Sequence, residues 1–82
     1  MKANYYEKRL DFNSAMNEES DFEDVVEKPE DAVNQVRAMM ETLDYSTAIL
    51  FSGGSGKPTL FYKKDSDNKI TCCSVEDEGL AA

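Results

Sequence analysis

Eighty-two residues leave room for one small core and exclude a separate catalytic lobe. Apolar residues at 40% exclude a wholly disordered chain, and 17 acids against 9 bases, a net charge of −8, exclude a uniformly basic nucleic-acid binder. Histidine is absent, which removes Ser-His-Asp and Cys-His nucleophilic sites and every zinc site that needs imidazole.

In chain order, Asn4 to Phe12 alternates as a strand, with Tyr6, Leu10 and Phe12 on one face, Lys8 interrupting them, and Glu7, Arg9 and Asp11 on the other. Residues 13–28 read as an irregular acidic connection held by one or two apolar anchors. Two more regular alternatives stay open within it. One is a short helix capped by Ser14 that runs through Ala15, Met16, Glu19, Phe22, Val25 and Val26; the other is an extended segment from Phe22 to Glu27.

The next element has the clearest pattern. Pro29 suits a first helical position, and Glu30 and Asp31 complement the helix dipole in the first turn. Val33, Val36, Met40 and Leu43 then recur at spacings of three and four, widened by Ala32 and Met39, so a helix is expected from Pro29 to Asp44. Ser46 to Ser52 is apolar through its centre, as in a central strand covered on both faces. Gly53 to Lys57 reads as a flexible hairpin connection into Thr59–Lys64, a strand with Leu60 and Tyr62 on one face and Phe61 and Lys63 on the other. Asp65 to Asn68 are turn formers, Lys69 to Val75 is a last strand, and residues 76–82 form an acidic tail expected to fray. The order predicts a single α+β domain of β-α-β-β-β type: two layers, one helix on an antiparallel sheet of about four strands.

No stretch states an activity. Ser52 to Thr59 follows an apolar strand and contains Gly56-Lys57, but a phosphate-binding loop needs glycine where Phe51 stands, a hydroxyl residue in place of Pro58, and a following helix. The start of that stretch also resembles the ATP-pyrophosphatase loop, with Gly56 where its Asp belongs. Asp65 to Lys69 begins like a calcium loop and fails at Lys69 and at Ile70, which replaces the required glycine. Cys72 and Cys73 are adjacent in a strand, point to opposite faces and are too few for a structural zinc site. No catalytic residue, cofactor or metal is therefore expected. The lack of a disulfide framework, of a bilayer-length apolar run and of a secretory signal leads to the expectation of a cytoplasmic protein without membrane contact.

What stands out is where the charge sits. Between Asp11 and Asp31 nine acids face Lys28 alone, a sum of −8, while the remaining eight acids and eight bases cancel. A ridge of carboxylates is loosely like a phosphate backbone, and it steers cationic partners. Glu18, Glu19, Asp21, Glu23, Asp24, Glu27, Glu30 and Asp31 are the candidate contacts, with Phe22 as an apolar anchor among them and Glu76, Asp77 and Glu78 as possible helpers.

In size, charge, lack of catalytic equipment and strand–helix–meander layout the chain resembles small acidic phage-encoded inhibitors of bacterial defence, anti-CRISPR proteins among them. Acidic antitoxins and small regulatory adaptors share these gross features. The resemblance implies a non-enzymatic inhibitor in the host cytosol that competes with nucleic acid for a basic groove on a protein complex and binds no nucleic acid itself. The alternative is a regulatory or adaptor protein that meets its partner through a sheet face or an edge strand.

Overall fold

A computed structural model describes residues 1–27, 29–51 and 56–75. Among them, five strands form one antiparallel sheet: β1 (Lys2–Tyr6), β2 (Phe22–Val25), β3 (Thr47–Phe51), β4 (Pro58–Lys64) and β5 (Ile70–Ser74). Two helices accompany it, α1 (Phe12–Asn17) and α2 (Ala32–Leu43), the second entered through a 3-10 turn at Pro29–Asp31. The α+β class is as expected, with five strands instead of four. The strand order is β2-β1-β3-β4-β5, so the additional strand, β2, forms one edge and the β3-β4-β5 meander ends at the other.

β3 sits in the middle, and its alternation splits the core in two. Ala48 and Leu50 join Ala3 and Tyr5 of β1, Tyr62 of β4 and the α2 residues Ala32, Val36 and Met40. Ile49 faces the other way and joins Tyr6, Phe61 and Val75 with Phe12 and Ala15 of α1. The central strand is thus covered on both faces, as its unbroken apolar run predicts. The expected two layers are corrected by the same observation. α1 packs on the face opposite α2, with Phe12 edge-on to Phe61 at 5.8 Å between centroids, and adds a partial third layer.

β1 ends at Tyr6, well before Phe12, and the reason lies in β3. The buried Thr47 hydroxyl donates to the Lys8 carbonyl (2.8 Å) and accepts from the Leu10 N–H (3.0 Å), which fixes residues 8–10 as a loop around it. Phe12 then reaches its core position from a helix. Asp11 caps that helix, its Oδ1 accepting from the Ser14 N–H at 2.8 Å. Asp11, not Ser14, is therefore the cap. Hydrogen bonding from Ser14 holds the Asp11 carboxyl below its ordinary range.

In α2 the buried line is Ala32, Val36 and Met40 at a spacing of four, while Val33 (39% exposed) and Leu43 (50%) face outward. The stripe is narrower and rotated relative to the expected one, because its underlay is the small-residue row Ala3 and Ala48 with the rings of Tyr5 and Tyr62 beside it. Asp44 ends the helix in the left-handed region (φ 57). The buried Lys64 ammonium donates to the Met40 carbonyl and to Asp44 Oδ1, each at 3.2 Å, placing a cation at the negative end of the helix dipole.

Candidate interaction site at the β2 edge

The acid-rich stretch is far from irregular. It contains α1, then β2, which pairs with β1 from Tyr5↔Phe22 to Lys2↔Val25, then the 3-10 turn. The two regular alternatives both occur in part: the helix is shorter and the strand ends at Val25. Register decides where each side chain goes. Phe22 and Asp24 share the α2 face with Tyr5 and Ala3, and Glu23 and Val25 lie on the opposite face with Asn4 and Lys2. The apolar anchor is Val26, which is buried; Phe22 stays 39% exposed and Val25 69%.

The carboxylates divide into three groups by what they touch. Asp11, Asp21 and Asp24 serve the fold. Asp21 Oδ2 accepts from the Glu7 N–H at 2.8 Å, closing the loop end of β1 onto the start of β2. Asp24 Oδ1 accepts from the Val25 N–H at 2.9 Å, and its Oδ2 accepts from the Gln35 amide of α2 at 3.3 Å. Glu18 and Glu23 make exposed ion pairs, with Lys8 at 4.0 Å and Lys2 at 3.3 Å; such pairs contribute about 0–1 kcal/mol and open readily. Glu19, Glu27, Glu30 and Asp31 are exposed and have no hydrogen bond or ion pair among the described residues. An unbroken row of Glu19, Asp21 and Glu23 does not form, since Asp21 turns back to Glu7 and only Glu23 lies within the strand.

An aromatic group closes one end of this edge. The Phe22 and Tyr45 rings lie parallel within 5° at 6.3 Å, and both pack on Tyr5, at 5.9 and 5.3 Å. Tyr5 is buried, and burial, with Asp24 and Tyr45 adding to it, pushes its hydroxyl up to about 12. It is a fixed, uncharged floor for the half-exposed Phe22. Tyr45 did not stand out in the sequence, because it follows the helix cap in the polar run Asp44-Tyr45-Ser46, outside any periodic segment. The edge therefore runs from Glu18, Glu19 and the Phe22–Tyr45 pair, along about 13 Å of strand, to Glu27, Glu30 and Asp31.

The other motifs resolve simply. β3 and β4 pair antiparallel, and Pro58 opens a strand where a phosphate loop requires a helix. Ser52–Ser55 lie outside the described residues, as do Lys28 and the acidic tail with Glu76, Asp77 and Glu78; Gly56 has φ +68, which glycine adopts without strain. In the Asp65–Asn68 turn, Asp65 Oδ1 accepts from the Asp67 and Lys69 N–H groups, both at 2.9 Å, so that carboxylate is occupied by the turn itself. Cys72 and Cys73 form no disulfide. Among the described residues no three of His, Cys, Asp and Glu gather as metal ligands, and no helix is long and apolar enough to cross a membrane. No protein-family model, curated protein or solved structure matches the chain.

Proposed function

We propose that the chain is a non-enzymatic inhibitor that occupies the basic, nucleic-acid-recognising surface of a protein complex, in an anti-defence role of the anti-CRISPR kind within the host cytosol. The β2 edge is the contact surface. One observation carries this reading: after the fold has used Asp11, Asp21 and Asp24, four carboxylates remain unengaged among the described residues along the same edge that exposes Phe22.

Carboxylates held at an edge beside an aromatic ring suit arginine. Its guanidinium pairs with a carboxylate in a fork and stacks on a ring face, which a point-charged ammonium does less well. Glu18 and Glu23 join when their lysines are displaced by such groups. The unengaged acids supply long-range attraction and a fast encounter, while Phe22 supplies a contact that excludes water.

The test is capture of the partner on the tagged chain from bacterial lysate, followed by elution with DNA or RNA. Recovery of a nucleic-acid-binding complex that the nucleic acid displaces supports the proposal. Recovery only of partners that nucleic acid leaves in place overturns it.

A further inference from the structure

The aromatic pair at the start of the β2 edge is held by the fold from two directions. Phe22 is fixed by its register opposite Tyr5 in the β1–β2 ladder. Tyr45 is fixed between Asp44, whose left-handed backbone (φ 57) ends α2, and Ser46, whose N–H donates to the Tyr6 carbonyl at 3.0 Å. The two rings belong to different elements, yet they lie parallel within 5° at 6.3 Å between centroids, so their faces point the same way. Phe22 is exposed and Tyr45 half-buried, over a Tyr5 ring that is fully buried. One half-buried carboxylate shares this face of the sheet. Asp24 stands two residues along β2 from Phe22, about 7 Å away. Its Oδ1 is taken by the Val25 N–H, but its Oδ2 accepts from the neutral Gln35 amide at 3.3 Å, longer than the usual N–H···O range of about 2.7–3.2 Å.

We infer that Phe22, Tyr45 and Asp24 form a site for one arginine side chain of a basic protein partner, its guanidinium stacked on the rings and donating to Asp24 Oδ2 in place of Gln35. This rests on the reading of the β2 edge as the contact surface, and it narrows the partner to one that presents an arginine there. The chemistry makes the selection. A guanidinium is planar, weakly hydrated and carries its N–H donors in the plane, so it lies flat on a ring and donates sideways to a carboxylate at the same time. A hydrogen bond from such a charged donor is roughly twice as strong as the neutral amide bond it replaces. The ammonium of lysine is a strongly hydrated point charge with no face to stack. A nucleobase also stacks, but its phosphates meet the carboxylates of a chain with a net charge of −8. Rings already fixed before binding lose little freedom when the arginine arrives.

The experiment titrates the full chain at physiological salt with two synthetic peptides of equal length and charge, one of alternating arginine and glycine, the other with lysine at every arginine. Long-range attraction is the same for both, so the difference between them reads the site. The arginine peptide is expected to bind about three- to fivefold tighter, with its side-chain Hδ resonances moved upfield by the ring currents. Tyr45→Leu should bring the two affinities together, and Asp24→Asn, which keeps an acceptor for the Val25 N–H, should narrow the gap. The ring-current shift needs no variant and decides the matter should these fail to fold. Equal affinities for the unaltered chain, binding of neither peptide, or an arginine preference that survives in a folded Tyr45→Leu overturns the site. Equal affinities alongside a captured partner that nucleic acid displaces overturn the site and leave the reading of the edge standing. An arginine preference lost in Tyr45→Leu, alongside a captured partner that nucleic acid leaves in place, supports the site and overturns that reading instead.

Discussion

At one edge of the sheet, β2 offers four residues, two carboxylates and an outward N–H taken up by the neighbouring Asp24 side chain; at the other, β5 offers five uncharged residues and three outward-facing peptide groups. Both are paired on their inner side over similar lengths, so the ladder does not set them apart. Side-chain chemistry does. At β2, charge placed on an edge discourages strand addition and at the same time creates a surface for cations. At β5 the backbone itself is the available group. The two edges of one sheet thus present different chemistry, carboxylates at β2 and uncharged backbone at β5.

The sharpest way to break this comparison is proline in β5, one position apart. By the alternation that the Val75–Thr59 and Asp65–Lys69 bonds set, Cys73 turns its N–H to β4 and Cys72 turns its own outward. Cys73→Pro removes an N–H that the ladder uses and should cost on the order of 3 kcal/mol, whereas Cys72→Pro spares the ladder and should cost less, through lost packing of Cys72 on the core; urea unfolding of the two variants checks it. Equal losses would mean that the outward and inward assignments are wrong.

Alkali tests the floor beneath the β2 edge. Burial raises the hydroxyls of Tyr5, to about 12, and of Tyr62 and Tyr6 above their ordinary 10.0. The folded state therefore holds protons that the unfolded state has lost above pH 10. Stability should be complete below that value and fall as the pH rises toward 12. Tyrosinate absorbance and circular dichroism should change together; ionisation at an ordinary pH without loss of structure would place these rings in solvent.

Smaller effects should separate the acids by role. Asp21→Ala and Asp24→Ala each remove an acceptor for a backbone N–H, so each should cost about 1 kcal/mol in thermal or urea unfolding. Glu19→Gln, Glu27→Gln, Glu30→Gln and Asp31→Asn combined should leave stability within about 0.5 kcal/mol per site, or raise it by relieving repulsion. Neutralising Glu19, Asp21, Glu23 and Asp24 together would confuse the two roles.

Most of the fold was legible because periodicity and turn chemistry agree over α2, β3, β4 and β5. Asn4 to Val26 departs from its sequence pattern, for identifiable reasons. The apparent alternation of Tyr6, Leu10 and Phe12 carries across a loop set by Thr47, a contact 37 residues from Leu10. Asp11 takes the cap in place of Ser14 because it stands three residues before the N–H it accepts, where a capping carboxylate reaches. β2 has no apolar face to announce it, because an edge strand with Phe22 on one side and Val25 on the other buries neither. At the site itself, the density of acids and Phe22 could be seen in the sequence. The division between structural and unengaged carboxylates could not, since it depends on where Glu7, Val25 and Gln35 come to rest.

The most direct measurement is the affinity for the captured partner, at low and high salt, of the unaltered chain and of the variant Glu19→Gln, Glu27→Gln, Glu30→Gln, Asp31→Asn, with thermal melts of both. The expected result in the variant is an unchanged or higher melting temperature, an affinity reduced tenfold or more (about 1.4 kcal/mol) and a flattened salt dependence. A folded variant that binds as tightly as the unaltered chain at both salts would contradict it and would assign these acids to solubility alone.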